Sequence, residues 1–159
     1  MATLNERTRS GHPRSTAKIG GHPIHPMLIP FPIVCFIGAL VTDIVFLNNQ
    51  DPGWATASRY LLSIGIVMAA LAAIAGLTDF MGDDRIRRAG DAVKHMLANV
   101  TAVVLEIVNF FVRLNHDSAI RGTGIILSAA VVLILIYSGW KGGDLVFRHG
   151  IGVEDAANH

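Results

Sequence analysis

The sequence has one cysteine, Cys35, so no intrachain disulfide and no multi-cysteine zinc site can form. It is also poor in charge: 16% of the residues are Asp, Glu, Lys or Arg, against about 25% in an average soluble domain. The formal net charge is +1, which gives no basic surface for nucleic acid, and no nucleic-acid motif is present. There is no phosphate-cradling glycine loop and no nucleophile with a base at useful spacing, so no enzymatic turnover is assigned. Near the start there is no apolar run of signal-peptide length.

What the chain does have is hydrocarbon. Of its 159 residues, 52% are hydrophobic. Four apolar segments carry them: Met27–Leu47, Tyr60–Phe80, Ala92–Leu114 and Thr123–Trp140. Each is about the ~20 residues needed to cross a ~30 Å hydrocarbon core. Unpaired backbone is not viable in lipid, so runs of this length imply helices. The expected fold class is all-α, an integral membrane bundle of four transmembrane helices. Residues 1–20 read as a mobile cytoplasmic arm, 21–153 as the transmembrane domain and 154–159 as a polar tail.

The separators read as surface loops. Asn48–Arg59 contains Asn-Asn-Gln-Asp-Pro-Gly, Gly82–Asp91 is dense in charge, and Asn115–Gly122 is short and polar. Trp54, Tyr60 and Trp140 stand at segment ends, where amphipathic rings favour the interface. Arg7, Arg9, Arg14, Lys18, Arg85, Arg87, Arg88, Lys94, Lys141 and Arg148 fall on one side; Arg59, Arg113 and Arg121 fall on the other. The positive-inside rule puts the richer side, with both termini, in the cytoplasm. The expected location is a bacterial cytoplasmic (inner) membrane, with the lipid bilayer as the principal partner.

The first segment opens with Gly20-Gly21-His22-Pro23-Ile24-His25-Pro26, with Pro30 and Pro32 close behind. Proline is tolerated in a first helical turn, so the regular helix is expected to begin between Pro26 and Ile29. Positions three apart share a face in a helical turn and in polyproline II geometry, so both imidazoles can point one way. Imidazole suits iron, copper and zinc, and the alternative is a pair of polar residues at a helix end.

The third segment carries His95, Asn99, Ala102, Glu106, Asn109 and Arg113, at steps of four and three that hold one helical stripe. Exposing Glu106 to lipid costs about 2.5–3.5 kcal/mol on insertion scales, so the stripe should face the interior. Glu106 can pair with Arg113, and Asp43, late in the first segment, can be the partner of Arg113 instead. Alternation of direction gathers His22, His25, Asp79, His95, Asp144 and His149 at one end. Asp79 and Asp144 lie toward helix C-termini, which disfavour negative charge by a few tenths to ~1 kcal/mol. Arg85, Arg87, Arg88 or a histidine can compensate them. Gly139 and Gly143 permit close helix approach, and Gly150 and Gly152 can end the last helix.

The run Gly21-His22-Pro23-Ile24-His25-Pro26 with Ile29-Pro30-Phe31-Pro32, then Gly76-Leu77-Thr78-Asp79, His95 with Asn99, and the late Gly-Trp-Lys-Gly-Gly-Asp-Leu-Val-Phe-Arg-His-Gly stretch, resembles a bacterial membrane family known as a domain of unknown function, number 2231. The resemblance covers roughly Gly20 to Val153. It implies a compact four-helix membrane domain, in some relatives joined to redox modules, and tilts the expectation toward electron transfer.

Three functions remain open on these residues. The first is a haem- or metal-binding redox subunit. Here His25 and His95 are the preferred ligands of a haem b, His22, His149, Asp79 and Asn99 are further contacts, and His22, His25 and His95 form the set for a bare transition metal. The second is a proton or ion path along Glu106, Asn109, Arg113 and Asp43. The third is a structural or assembly subunit of a larger membrane complex. Partners under these readings are redox proteins or that complex.

Overall fold

A computed structural model describes residues 12–114 and 116–153. Two short strands, β1 (Lys18–Ile19) and β2 (His22–Pro23), pair antiparallel, with Lys18 opposite Pro23 and Ile19 opposite His22. Gly20 and Gly21 make the turn at φ 56° and 85°, the left-handed conformation that a two-residue hairpin loop requires. A five-residue helix α1 (Ile24–Leu28) follows, then α2 (Pro30–Asn49), α3 (Pro52–Gly82), the short α4 (Asp84–Arg88) and α5 (Gly90–Arg113). A 3-10 turn (Asp117–Arg121) leads into α6 (Thr123–Phe147).

Four helical stretches are long and apolar enough to span a bilayer: Ile24–Asn49, Pro52–Gly82, Gly90–Arg113 and Thr123–Phe147. The expected all-α, four-span membrane bundle is therefore what the chain forms. α2 packs chiefly on α3 and α5 chiefly on α6, giving two helical hairpins. Smaller interfaces join α2 to α6 and α3 to α5, so α2 and α5 stand diagonally across the bundle axis.

The spans are longer than the apolar runs. The second begins at Pro52, inside the stretch expected to be a loop. The cause is local: the Asp51 carboxylate accepts the Gly53 amide at 2.8 Å and Pro52 occupies the first turn. Asp-Pro-Gly here starts a helix rather than stopping one. The first helical turn is likewise earlier than expected, at Ile24, because the turn before Pro30 needs no amide from the proline itself. The last helix ends where expected, with Gly150 at φ 62°. There the Ile151 amide donates to the Leu145 carbonyl (2.9 Å) and the Gly150 amide to Val146 (3.1 Å), a Schellman closure.

The bundle is apolar outside and small or polar inside. Val34, Ile37, Val41 and Ile44 run down the outer face of α2, and Val100, Val104, Val108 and Phe111 down that of α5; all are exposed. Such stripes suit lipid chains as solvent. The buried core holds Phe36, Ala39, Leu62, Ala69, Ala102 and Val131. Gly65 makes the α2–α3 approach possible, since a Cβ there would stand 2.5 Å from the Phe36 ring.

Candidate functional site

Two polar centres lie on the bundle axis, one at each end. At the end where the N-terminal residues pack, here the arm end, His25 of α1 meets His95 of α5 across the diagonal. Their ring centroids are 6.1 Å apart and their planes stand at 89°. His25 Nδ1 lies 2.8 Å from the Ala72 carbonyl, and His95 Nδ1 lies 2.9 Å from the Ser138 carbonyl. A carbonyl only accepts, so each Nδ1 carries the hydrogen and each Nε2 presents its lone pair. On His95 that lone pair receives the Asn99 amide at 3.0 Å.

Each imidazole rests on a glycine one turn beyond its carbonyl partner. A Cβ on Gly76 would meet the His25 ring at 2.9 Å, and one on Gly142 would meet His95 at 3.2 Å. The two hairpins thus carry the same device: a histidine on the first helix, and on the second a carbonyl acceptor followed four residues later by glycine.

The same pairing recurs at the opposite end. Asp43 follows His25 by eighteen residues and Arg113 follows His95 by eighteen, five helical turns or about 27 Å in each case. Asp43 and Arg113 form a fully buried, forked ion pair, Nη1 to Oδ1 at 2.5 Å and Nη2 to Oδ2 at 2.9 Å. Ser58 and Ser128 flank it. Ser58 donates to Oδ1 (2.7 Å) and accepts from Nη1 (2.8 Å), while Ser128 donates to Oδ2 (2.8 Å) and accepts from Nη2 (2.9 Å). Nε donates to Asn109 Oδ1 at 2.7 Å, so all five guanidinium hydrogens are used. The room for the guanidinium comes from Gly124, where a Cβ would stand 3.0 Å from Nε. Asp43, not Glu106, is therefore the partner of Arg113.

Glu106 is fully buried and its Oε2 accepts from Asn109 Nδ2 at 2.9 Å. Its Oε1 has no hydrogen-bond partner. Between Asn99 and Glu106 the stripe passes Ala102, packed in the apolar core with Phe36, Leu62 and Val131.

The remaining candidates disperse. His22 is exposed in the β-hairpin and lines a surface groove with Pro26, Met27, Val146 and Ile151. It does not share a face with His25, because the strand-to-helix change falls between them. His149 pairs with Asp91 at 3.3 Å, in a cluster where Lys141 bridges Asp91 (3.1 Å) and Asp144 (3.0 Å). Arg148 also reaches Asp144, at 3.1 Å. Asp79 turns to none of the arginines or histidines considered for it. Its Oδ1 accepts from Ser15 Oγ (2.8 Å) and from the Thr16 and Ala17 amides (2.7 and 2.8 Å), which ties the arm down from Ser15 onward. Among the described residues no group of three or more His, Cys, Asp or Glu comes together to hold a metal, so the trio His22, His25 and His95 is not assembled.

Outside the spans, Arg85 donates to the Asp83 carboxylate at 2.8 Å and holds it below the usual carboxylate range. The same carboxylate caps α4 by accepting the Arg85 amide at 2.9 Å.

The family described as "Predicted membrane protein (DUF2231)" matches residues 21–155, most of the chain. The chain belongs to this family. The DUF2231 description agrees with the four membrane-spanning helices, and it names no activity. No curated protein and no solved structure matches the chain.

Sequence reasoning named His25, His95, Asp43, Glu106, Asn109 and Arg113. It named Gly76 and Gly142 only within family motifs, and did not single out Ser58, Ser128, Ser138 or Gly124. A signal for some of them was present: His25 and His95, Asp43 and Arg113, and Ser58 and Ser128 are each seventy residues apart.

Proposed function

We propose that this chain is a membrane subunit that binds a b-type haem through His25 and His95 and passes single electrons. The observation that carries this is the imidazole pair on diagonal helices, each ring anchored through Nδ1 to a backbone carbonyl. Such anchoring fixes the tautomer, orients Nε2 and raises its basicity, as it does in ligating histidines generally.

The donor set fits the group. The two imidazoles stand close, with ring centroids 6.1 Å apart, and imidazole is a ligand type for haem iron. With no third His, Cys, Asp or Glu joining them among the described residues, a bare zinc or copper ion is under-coordinated here. A haem would need no more than two protein ligands, and His25 and His95 would be those two. When bound, such a group supplies a one-electron ferric/ferrous couple.

The chain's own residues supply the rest. Asn99 must give up the Nε2 of His95, and its amide retains a partner when it does, the His95 carbonyl at 3.0 Å. Gly76 and Gly142 admit the rings where a Cβ would press on them. The apolar core beneath keeps water from the inner side of the pair. The lysine and arginine bias favours a cytoplasmic arm end, within reach of soluble redox proteins.

Detergent-purified protein is expected to show a Soret band that His25→Ala and His95→Ala each abolish. A colourless preparation that takes up no haem on addition rejects the proposal. The path reading has less support, because apolar side chains fill the roughly 10 Å between Asn99 and Glu106. A structural role is favoured by one observation, the saturated Asp43–Arg113 lock, and is compatible with a haem site.

A further inference from the structure

The opposite end of the bundle holds a carboxyl group that the haem reading does not use. Glu106 is fully buried among helices that face lipid, and its Oε1 has no partner. The charged groups near it are two: Arg113 on its own helix and Asp43 on α2. Those two neutralise each other through a forked pair, and every guanidinium hydrogen is already committed to Asp43, Ser58, Ser128 or Asn109. Among the described residues, the only donor reaching Glu106 is the neutral Asn109 amide, at 2.9 Å to Oε2.

An ionised Glu106 is therefore an uncompensated charge out of reach of bulk solvent. Such a charge is far costlier than the neutral acid, and buried groups in this position neutralise instead. A metal cation is a poor substitute for a proton, since one orphan oxygen is too few for a sodium or calcium shell. We infer that Glu106 is a proton-binding site: the orphan Oε1 holds a hydrogen, with Oε2 as the carbonyl oxygen that accepts from Asn109. This holds whether or not His25 and His95 bind haem, because the two centres are separated by the apolar core.

Infrared spectra of the protein in lipid at neutral pH test it. The expected result is a protonated-carboxyl C=O band that disappears in Glu106→Gln, a variant that keeps the acceptor for Asn109. A spectrum with no band removed by E106Q overturns the inference. Should E106Q fail to fold, labelling of the unmodified protein with dicyclohexylcarbodiimide, which attacks protonated carboxyls in membranes, decides. Label mapped by mass spectrometry to Glu106 supports the proton. Glu106 left unlabelled overturns it, as does labelling that sodium or potassium blocks, which would mean that a cation sits there instead.

Discussion

Replacing Arg113 by methionine tests the axial lock quantitatively. The side chain is fully buried and makes five hydrogen bonds. At about 0.6 kcal/mol for each bond within a membrane bundle, the loss is roughly 3 kcal/mol. An independent route gives a similar figure: removing one partner of a buried ion pair leaves the other uncompensated and costs about 3–5 kcal/mol. At about 1.4 kcal/mol per tenfold, the folded-to-unfolded ratio falls by two to four powers of ten. Unfolding in mixed micelles, titrated with a denaturing detergent, reads this directly. The Asp43→Leu/Arg113→Met double variant is expected to recover part of the loss, because the uncompensated Asp43 charge is gone while Ser58, Ser128 and Asn109 still lack their partners. A cost below about 1 kcal/mol for Arg113→Met alone, or no recovery in the double variant, contradicts a charge-paired Arg113.

Other perturbations have equally definite outcomes. Asp79→Ala removes the acceptor shared by Ser15, Thr16 and Ala17, so hydrogen exchange over residues 15–19 should accelerate while the spans stay protected. Gly76→Ala pushes a Cβ to 2.9 Å from the His25 ring and should break its bond to Ala72, at a cost of about 1 kcal/mol, with loss of haem uptake; Gly142→Ala, at 3.2 Å from His95, should do the same more mildly. Asp83 has its carboxyl below the ordinary range because Arg85 donates to it. The folded state thus binds the proton less readily than the unfolded chain, and the α4 cap contributes fully above the unfolded value of about 3.9. Amide protection in α4 should hold from neutral pH down to about that value, then fade as the pH drops further, and Asp83→Ala should lack it at every pH.

The helical spans were legible because lipid imposes a length and forbids unpaired backbone, and apolar runs of that length have one solution. Their ends were less legible. Asp51-Pro52-Gly53 uses the residue types of a turn to begin a helix, and only the carboxylate's bond to the Gly53 amide distinguishes the two. The stripe on α5 was legible from its spacing, and the pairing of Asp43 with Arg113 was among the alternatives. The choice between Asp43 and Glu106 was not, since spacing allows either to pair with Arg113 and the packing of Ser58, Ser128 and Gly124 around Asp43 selects one. His22 and His25 were expected to point one way because three-residue spacing aligns them in a helical turn or in polyproline II geometry. The glycine turn at Gly20-Gly21 commits His22 to a strand and leaves His25 to the helix. Asp79 has its partners sixty-odd residues away in a polar segment, with no local spacing to announce them.

Haem titration of apoprotein with His22, His25, His95 and His149 varied singly, followed at the Soret maximum, reads the His25–His95 assignment most directly. The parent, His22→Ala and His149→Ala are expected to saturate at one haem per chain, while His25→Ala and His95→Ala should not saturate. Equal uptake by all five proteins, or loss of uptake in His22→Ala or His149→Ala with His25→Ala unaffected, would contradict it.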